Sequence, residues 1–263
     1  MKPLAHIAQG KHIKKGAHIV QIVTIANQKG GTAKSTTAAA LAQAAAATGR
    51  KCLAIDLDPQ GNLSFFLQAD TGKAGSYELL TGTPARDCIQ HTPGGLDVIA
   101  ASWNLSTVTS SKGSARRLQQ ALKPLQLLGV YDLVIVDTPP TAGELQYNAL
   151  QASTDLIIPL QADIVGLQGL YQIADTAQQI QQSNPALRIA GFVITRQQGR
   201  STLARQLQER ITAEAAARNI PFMGCIREAV AIREAQTLQR SLYEYAPNSK
   251  PAQDYLQLLD KLQ

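Results

Sequence analysis

The stretch Lys29-Gly30-Gly31-Thr32-Ala33-Lys34-Ser35-Thr36 constrains this chain more than any other. An apolar, strand-like run, residues 20–26, leads into it, and an alanine-rich helical run, residues 35–47, follows at once. A strand, a turn of small residues and a helix opening on Lys-Ser enclose a concavity lined by backbone N–H groups. Such a concavity at a helix N-terminus binds anions. In that geometry Lys34 reaches the outer phosphates of a nucleotide and the Ser35 hydroxyl binds Mg2+. Lys29, a second lysine at the start of the loop, is surplus to an ordinary phosphate cradle.

The rest of the chain extends the same alternation. Apolar, β-rich runs recur at 20–26, 52–57, 96–100, 133–137, 156–160, 189–195 and 221–226, with helical patterns between most of them. Runs such as Leu133-Val134-Ile135-Val136 are apolar throughout, as strands covered on both faces must be. The expected fold is therefore α/β: a doubly wound, mostly parallel sheet with helices on both faces. Residues 70–95, rich in Gly, Thr and Pro, read as a loop with a short helix near 77–80. Residues 1–18 read as a basic, flexible arm, and residues 19–263 as one domain built around this phosphate loop.

The net charge of +6 is unevenly placed. Residues 1–20 carry four lysines and no acid, residues 112–123 carry Lys112, Arg116, Arg117 and Lys123 without an acid, and residues 196–240 carry eight arginines against four glutamates. An otherwise acidic body with basic patches suits a polyanionic partner. No run of about 18 apolar residues suggests a membrane span, and no continuous apolar core suggests a secretory signal. The three cysteines, Cys52, Cys88 and Cys225, lack CxxC spacing. They suit a reducing cytoplasm and argue against a metal or iron–sulfur site.

Two further segments complete a nucleotide site. Leu53-Ala54-Ile55-Asp56-Leu57-Asp58 is a strand ending in two carboxylates, and Leu133-Val134-Ile135-Val136-Asp137 is a strand ending in one. Ligands of open α/β sheets bind beyond the carboxyl ends of the strands, where a carboxylate can orient Mg2+ or an attacking water. Each aspartate alone reads as a turn or N-capping residue. Three such pieces in this order indicate a nucleoside triphosphatase.

These segments resemble the ParA/MinD family of partition ATPases. Residues 26–36 resemble its deviant phosphate loop, Asp56-Leu57-Asp58-Pro59-Gln60-Gly61-Asn62 its next motif, and Val136-Asp137-Thr138-Pro139-Pro140 its third. Ile158-Pro159-Leu160-Gln161 with residues 166–170, then Arg233-Glu234-Ala235 and residues 245–252, extend the likeness over roughly 20–262. The resemblance implies an ATP-bound homodimer with two nucleotides sandwiched between subunits, and Mg2+ as cofactor. It assigns nucleotide binding to Lys29, Gly30, Gly31, Thr32, Ala33, Lys34, Ser35 and Thr36. It implies a metal shell of Ser35, Asp58 and Asp137, and catalysis by Lys29, Lys34 and Asp58. Lys34 would hold the phosphates, Asp58 would position the attacking water, and Lys29 would cross to the partner's nucleotide. Asp56 would support this shell from behind, and the adenine would lie against the loops after Thr195 and Ile226.

The resemblance also implies binding to double-stranded DNA without sequence preference, for which Arg200, Arg227, Arg233 and Arg240 are the candidate contacts. Ala229 and Ala231 stand where relatives often carry arginine. The reading is of the short type of partition ATPase: cytoplasmic, nucleoid-associated, with hydrolysis stimulated by a ParB-like partner. Two alternatives stand beside it. One is a MinD-like membrane ATPase, which needs a basic amphipathic C-terminal helix. The terminal segment instead sets Tyr255, Leu258, Leu259 and Leu262 on one face and two aspartates and one lysine elsewhere. The other is a DNA-binding scaffold with a vestigial phosphate loop. Ala33, where the family usually has glycine, keeps it open: a positive φ there costs alanine about 1–2 kcal/mol, whereas a negative φ only narrows the cradle. The expectation is that ATP binds and turnover is slow.

Overall fold

The computed structural model describes residues 20–108, 114–197 and 202–262. The expected arm 1–18 and the candidate DNA contact Arg200 lie outside them. In chain order the elements are β1 (Gln21–Ile25), α1 (Lys34–Ala47), β2 (Cys52–Asp56), α2 (Asn62–Phe66), α3 (Ser76–Thr81), α4 (Ala85–Cys88), β3 (Gln90–His91), β4 (Asp97–Ile99), α5 (Arg117–Leu128), β5 (Leu133–Asp137) and α6 (Glu144–Ala152). There follow β6 (Asp155–Leu160), α7 (Ile164–Gln181), β7 (Arg188–Gln197), α8 (Thr202–Ala216), β8 (Phe222–Arg227), α9 (Val230–Thr237), α10 (Leu242–Tyr245) and α11 (Lys250–Asp260).

The strands form one sheet in the order β3-β4-β2-β5-β1-β6-β7-β8. Every neighbouring pair is parallel except β3–β4. All seven expected strands are present. The addition is β3, a two-residue antiparallel edge inside the region read as a loop. The expected short helix there is α3.

Alternate side chains of the same strands enter different cores, so both faces are covered. Val23, Ile25 and Ile135 pack with α1 and α11, whereas Ile22, Val134 and Val136 pack with residues of α3, α5 and α6. On the other side of β1, Leu156, Ile158, Phe192 and Ile194 pack with α7 and α8. This explains why β2, β5 and β6 are buried at every position and why their sequences do not alternate.

α1 is buried nearly all round, with Ala38, Ala39, Ala40, Leu41, Ala42, Ala44 and Ala45 inside the protein. A helix without a polar face must be covered on both sides. Here the sheet lies on one side and α11 on the other, presenting Tyr255, Leu258 and Leu259, each at most 2% exposed. The C-terminal apolar face is thus core.

Register then positions the chemistry. Ile25 pairs with Asp137, and Asp137 with Asp56. Three strands therefore end at one level, and the loop after β1 emerges beside two carboxylates. At β1 the sheet order reverses, with β5 on one side and β6 on the other, which is where such sheets bind ligands.

Candidate nucleotide-binding site

The loop from Asn27 to Ala33 is held from outside, which leaves its concave side unencumbered. The Asn27 side chain donates to the Pro159 carbonyl at 2.8 Å and accepts the Lys29 N–H at 3.1 Å. Gln161 donates to the Gly31 carbonyl at 3.0 Å, and the Thr195 hydroxyl to the Thr32 carbonyl at 3.2 Å. Gly169 of α7 backs so closely onto this loop that a Cβ there would sit 2.7 Å from Asn27 Oδ1. The first backbone bond of α1 runs from Thr37 N to the Ala33 carbonyl at 2.9 Å. Among the described residues, the N–H groups of Lys34, Ser35 and Thr36 have no acceptor. These are the orphan donors of a helix N-terminus, and an anion satisfies them.

Ala33 has φ 65° and ψ 33°. It lies in the left-handed region, so the costlier of the two expectations for this residue is the one realised. Gly31, with φ 75°, takes the same hand without penalty. The cradle keeps its shape because its backbone is over-determined by the straps from β6, α7 and β7.

Lys34 is 7% exposed, and its ammonium donates to the Lys29 carbonyl at 3.1 Å. Burial lowers its pKa, while the nearby carboxylates of Asp137 and Asp58 oppose that shift. A cation resting on a neutral carbonyl at the centre of an anion cradle is poised for a phosphate.

The three aspartates do different work. Asp56 is fully buried and satisfied: it accepts the Asp58 N–H at 3.0 Å, the Ser64 N–H at 2.8 Å and the Ser64 hydroxyl at 2.7 Å. Burial lifts its pKa to about 6 against those hydrogen bonds. It fixes the turn that carries Asp58, whose Oδ1 accepts the Gln60 N–H at 3.0 Å. Asp137 is also fully buried. Its Oδ1 accepts the Thr138 N–H at 3.0 Å, and its Oδ2 has no hydrogen-bond partner among the described residues. Burial, then the Asp56 charge, raises its pKa well above the ordinary carboxylate value, and the adjacent Ser35 hydroxyl and the Lys34 charge pull the other way.

An orphaned buried carboxylate oxygen beside a serine hydroxyl fits a divalent cation. No cluster of three or more His, Cys, Asp or Glu suited to a metal occurs among the described residues. Mg2+ in such sites is held by one or two carboxylates together with phosphate oxygens and water, and needs no larger cluster.

Lys34, Ser35, Asp58 and Asp137 are thus brought together. Lys29 points elsewhere: its ammonium lies 3.3 Å and 3.2 Å from the two oxygens of Asp163, at the start of α7. Of the candidate DNA contacts, Arg233 and Arg240 are exposed on and just after α9, with Arg240 stacked 5.8 Å from the Tyr245 ring centroid. Glu234 is engaged by the Tyr245 hydroxyl at 3.0 Å. Arg227 is bound to Asp254 of α11. Sequence reasoning missed Asn27, Gln161, Asp163 and Thr195 as supports of the loop. Their signal is their place: each is a polar residue at the carboxyl end of β1, β6 or β7.

Residues 20–189 match a family described as an AAA domain. Over 245 residues the chain is 33% identical to the chromosome-partitioning ATPase Soj of Thermus thermophilus, covering 92% of this chain and 95% of that protein. Over 251 residues it is 35% identical to the chromosome partitioning protein ParA of Caulobacter vibrioides, covering 92% and 93%. Among solved structures it is similar to cobyrinic acid a,c-diamide synthase from Mycobacterium smegmatis with bound ATP analog and magnesium. That likeness has a TM-score of 0.77 and 30% identity over 92% of this chain and 93% of that one. Partition ATPases matched over nearly their whole length place this chain in the ParA/Soj family of partition ATPases.

Proposed function

We propose that this chain is an Mg2+-dependent ATPase that pairs on ATP, binds double-stranded DNA without sequence preference in that state, and leaves DNA on hydrolysis. The observation that carries the reading is the junction of β1 and α1. Free N–H groups, the Lys34 ammonium, Ser35 and the unpartnered Asp137 oxygen all meet there at the ends of β2 and β5. Lys34 and the backbone from Gly30 to Thr36 hold the phosphates. Ser35, Asp58 and Asp137 would hold Mg2+, which would supply neutralisation of charge developing on the transferred phosphoryl group. Asp58, on a turn fixed by Asp56, orients water for in-line attack, and Lys29 completes the site of a second copy. One turnover converts ATP and water to ADP and phosphate. The small part of this work done by each lone subunit makes turnover slow, and a ParB-like partner raises it.

Arg200, Arg227, Arg233 and Arg240 are the proposed DNA contacts, with exposed Arg233 and Arg240 foremost. The burial of Tyr255, Leu258, Leu259 and Leu262 against α1 and the sheet supports DNA over lipid, because a lipid-binding helix keeps its apolar face available. The test is binding of a random duplex with no nucleotide, ADP or ATP, each with Mg2+, alongside phosphate release with and without DNA. Retention on DNA only with ATP, lost in Lys34→Ala, supports the reading. Equal DNA binding in all three states with no phosphate release would instead leave a scaffold with a vestigial loop.

A further inference from the structure

We propose that Gln236 and Gln239 are positioning residues that make the hold of α9 on DNA depend on the nucleotide. The inference rests on the reading that Arg233 and Arg240 contact DNA.

Helix α9 is lightly seated. Of its eight residues only Ala235 is buried. A segment with so little apolar burial is set by its polar bonds and moves when they change. Bonds of this kind reach both segments that surround the nucleotide site. Gln236 Nε2 donates to the Thr36 hydroxyl oxygen at 3.0 Å, and Thr36 lies in the first turn of α1, at the phosphate cradle. Gln239 Nε2 donates to the Phe65 carbonyl of α2 at 2.9 Å, and Gln68 Nε2 returns a bond to the Gln239 carbonyl. Helix α2 follows the Asp58 turn and is itself bound to Asp56 through the Ser64 N–H and hydroxyl.

The backbone of the two reciprocal glutamines singles out this clasp. Gln68 stands just past α2 and Gln239 just past α9, with φ 59° and 51°. That left-handed position after a helix ordinarily falls to glycine. Glycine would relieve the backbone but has no amide to offer, and here both positions carry the side chain that closes the pair.

The link to Thr36 responds to an anion. The Thr36 hydroxyl accepts from Gln236 and keeps its own proton to give. A phosphate oxygen that takes that proton makes the Thr36 oxygen a stronger acceptor, because hydrogen bonds in a chain polarise one another. The bond to Gln236 then tightens only while nucleotide is bound. At the other end, a shift of the Asp58 turn passes through Asp56 and Ser64 to α2 and on to Gln239. Both routes end beside the arginines: Arg233 lies in α9, and Arg240 directly follows Gln239. A nucleotide that favours one setting of α9 shifts its population, and the effect is reciprocal between nucleotide and DNA.

The test combines Gln68→Gly and Gln239→Gly, which keep both left-handed turns and delete the clasp, with Gln236→Met, which keeps the bulk and deletes the donor. Affinity for a labelled random duplex is read by fluorescence anisotropy with Mg-ADP and with a slowly hydrolysed Mg-ATP analogue, and self-association by sedimentation. In the parent the analogue should tighten DNA binding about 5- to 150-fold over ADP, and DNA should tighten binding of the analogue by the same factor. The combined variant should lose at least about fivefold of that ratio, while its self-association with the analogue stays at the parent's level. Uniform weakening in both nucleotide states overturns the inference, because the glutamines would then only seat α9. A ratio that survives overturns it too, as does a loss that tracks lost self-association. A parent with no preference for the analogue, or one whose DNA affinity ignores Arg233→Ala with Arg240→Ala, sinks the underlying reading and the inference with it.

Discussion

Arg227 and Asp254 tie the last strand of the sheet to the last helix of the chain. Asp254 Oδ2 accepts the Arg227 backbone N–H at 3.0 Å and its Nε at 2.9 Å, and Oδ1 accepts the terminal guanidinium nitrogen. The paired hydrogen bonds raise the Arg227 pKa further. The two partners are unequally exposed, Arg227 at 42% and Asp254 at 7%, and that inequality sets the ranking of their substitutions. Arg227→Ala strands a buried carboxylate, whereas Asp254→Asn leaves a guanidinium that water can solvate. Arg227→Ala is therefore expected to lower the urea midpoint more than Asp254→Asn does. A DNA-binding loss in Arg227→Ala beyond that loss of folded protein would mark Arg227 as a direct contact as well. The reverse ranking would show that the pair does not pin α11.

Ala33 already occupies the conformation that glycine adopts freely, so Ala33→Gly changes energy without changing shape. Relief of the left-handed strain, about 1–2 kcal/mol, is partly offset by the greater freedom of glycine in the unfolded chain, about 0.5–1 kcal/mol. The variant should be more stable by about 0.5–1 kcal/mol in urea denaturation. Its Mg-ATP affinity by isothermal titration should match the parent's, because the backbone donors do not move. A large gain in affinity would mean that the methyl group, not the strain, limits the cradle.

The parts of the site that were legible in the sequence are those fixed by short-range order. Apolar runs that end in Asp56 and Asp137 announce strands with carboxylates at their tips, and pairing of Asp56 with Asp137 follows once β2 and β5 are neighbours. Lys29 and Asp163 are 134 residues apart, and only the adjacency of β1 and β6 brings them together. Nothing local to either residue specifies that contact. The sign of φ at Ala33 is equally a tertiary outcome, imposed on a residue whose own preference opposes it. The edge strand β3 spans only two residues, too few for periodicity to reveal.

Asp137 should show opposed effects of one substitution on stability and on ligand response. Its burial disfavours the charged form, so the folded-state pKa stands above the unfolded value. For such a group, stability is fully present below the unfolded pKa and is lost as pH rises through the folded one. Asp137→Asn stays neutral throughout. In the absence of nucleotide and Mg2+ it is expected to be more stable than the parent by about 1–2 kcal/mol at alkaline pH, the scale of an ill-satisfied buried polar group. The advantage should shrink toward pH 4. Stabilisation of the parent by ATP should need Mg2+, and that Mg2+ requirement should be lost in the variant. A parent whose thermal midpoint responds equally to ATP with and without Mg2+ would remove Asp137 from the metal shell.

Arg233 and Arg240 provide the sharpest test of the DNA reading, because neither is locked into the fold as Arg227 is. Arg233 is exposed, and its neighbour Glu234 is held by Tyr245. Arg240 lies over that same ring, which leaves an exposed guanidinium oriented but not neutralised. Each phosphate contact releases about one counterion, so its loss lowers the slope of log affinity against log salt by about 1. Arg233→Ala with Arg240→Ala should therefore flatten that slope by about 2 for a random duplex in Mg-ATP. Binding should weaken alike for all sequences, while the urea midpoint stays near the parent's. An unchanged salt slope would move the DNA contacts off α9 and the segment that follows it.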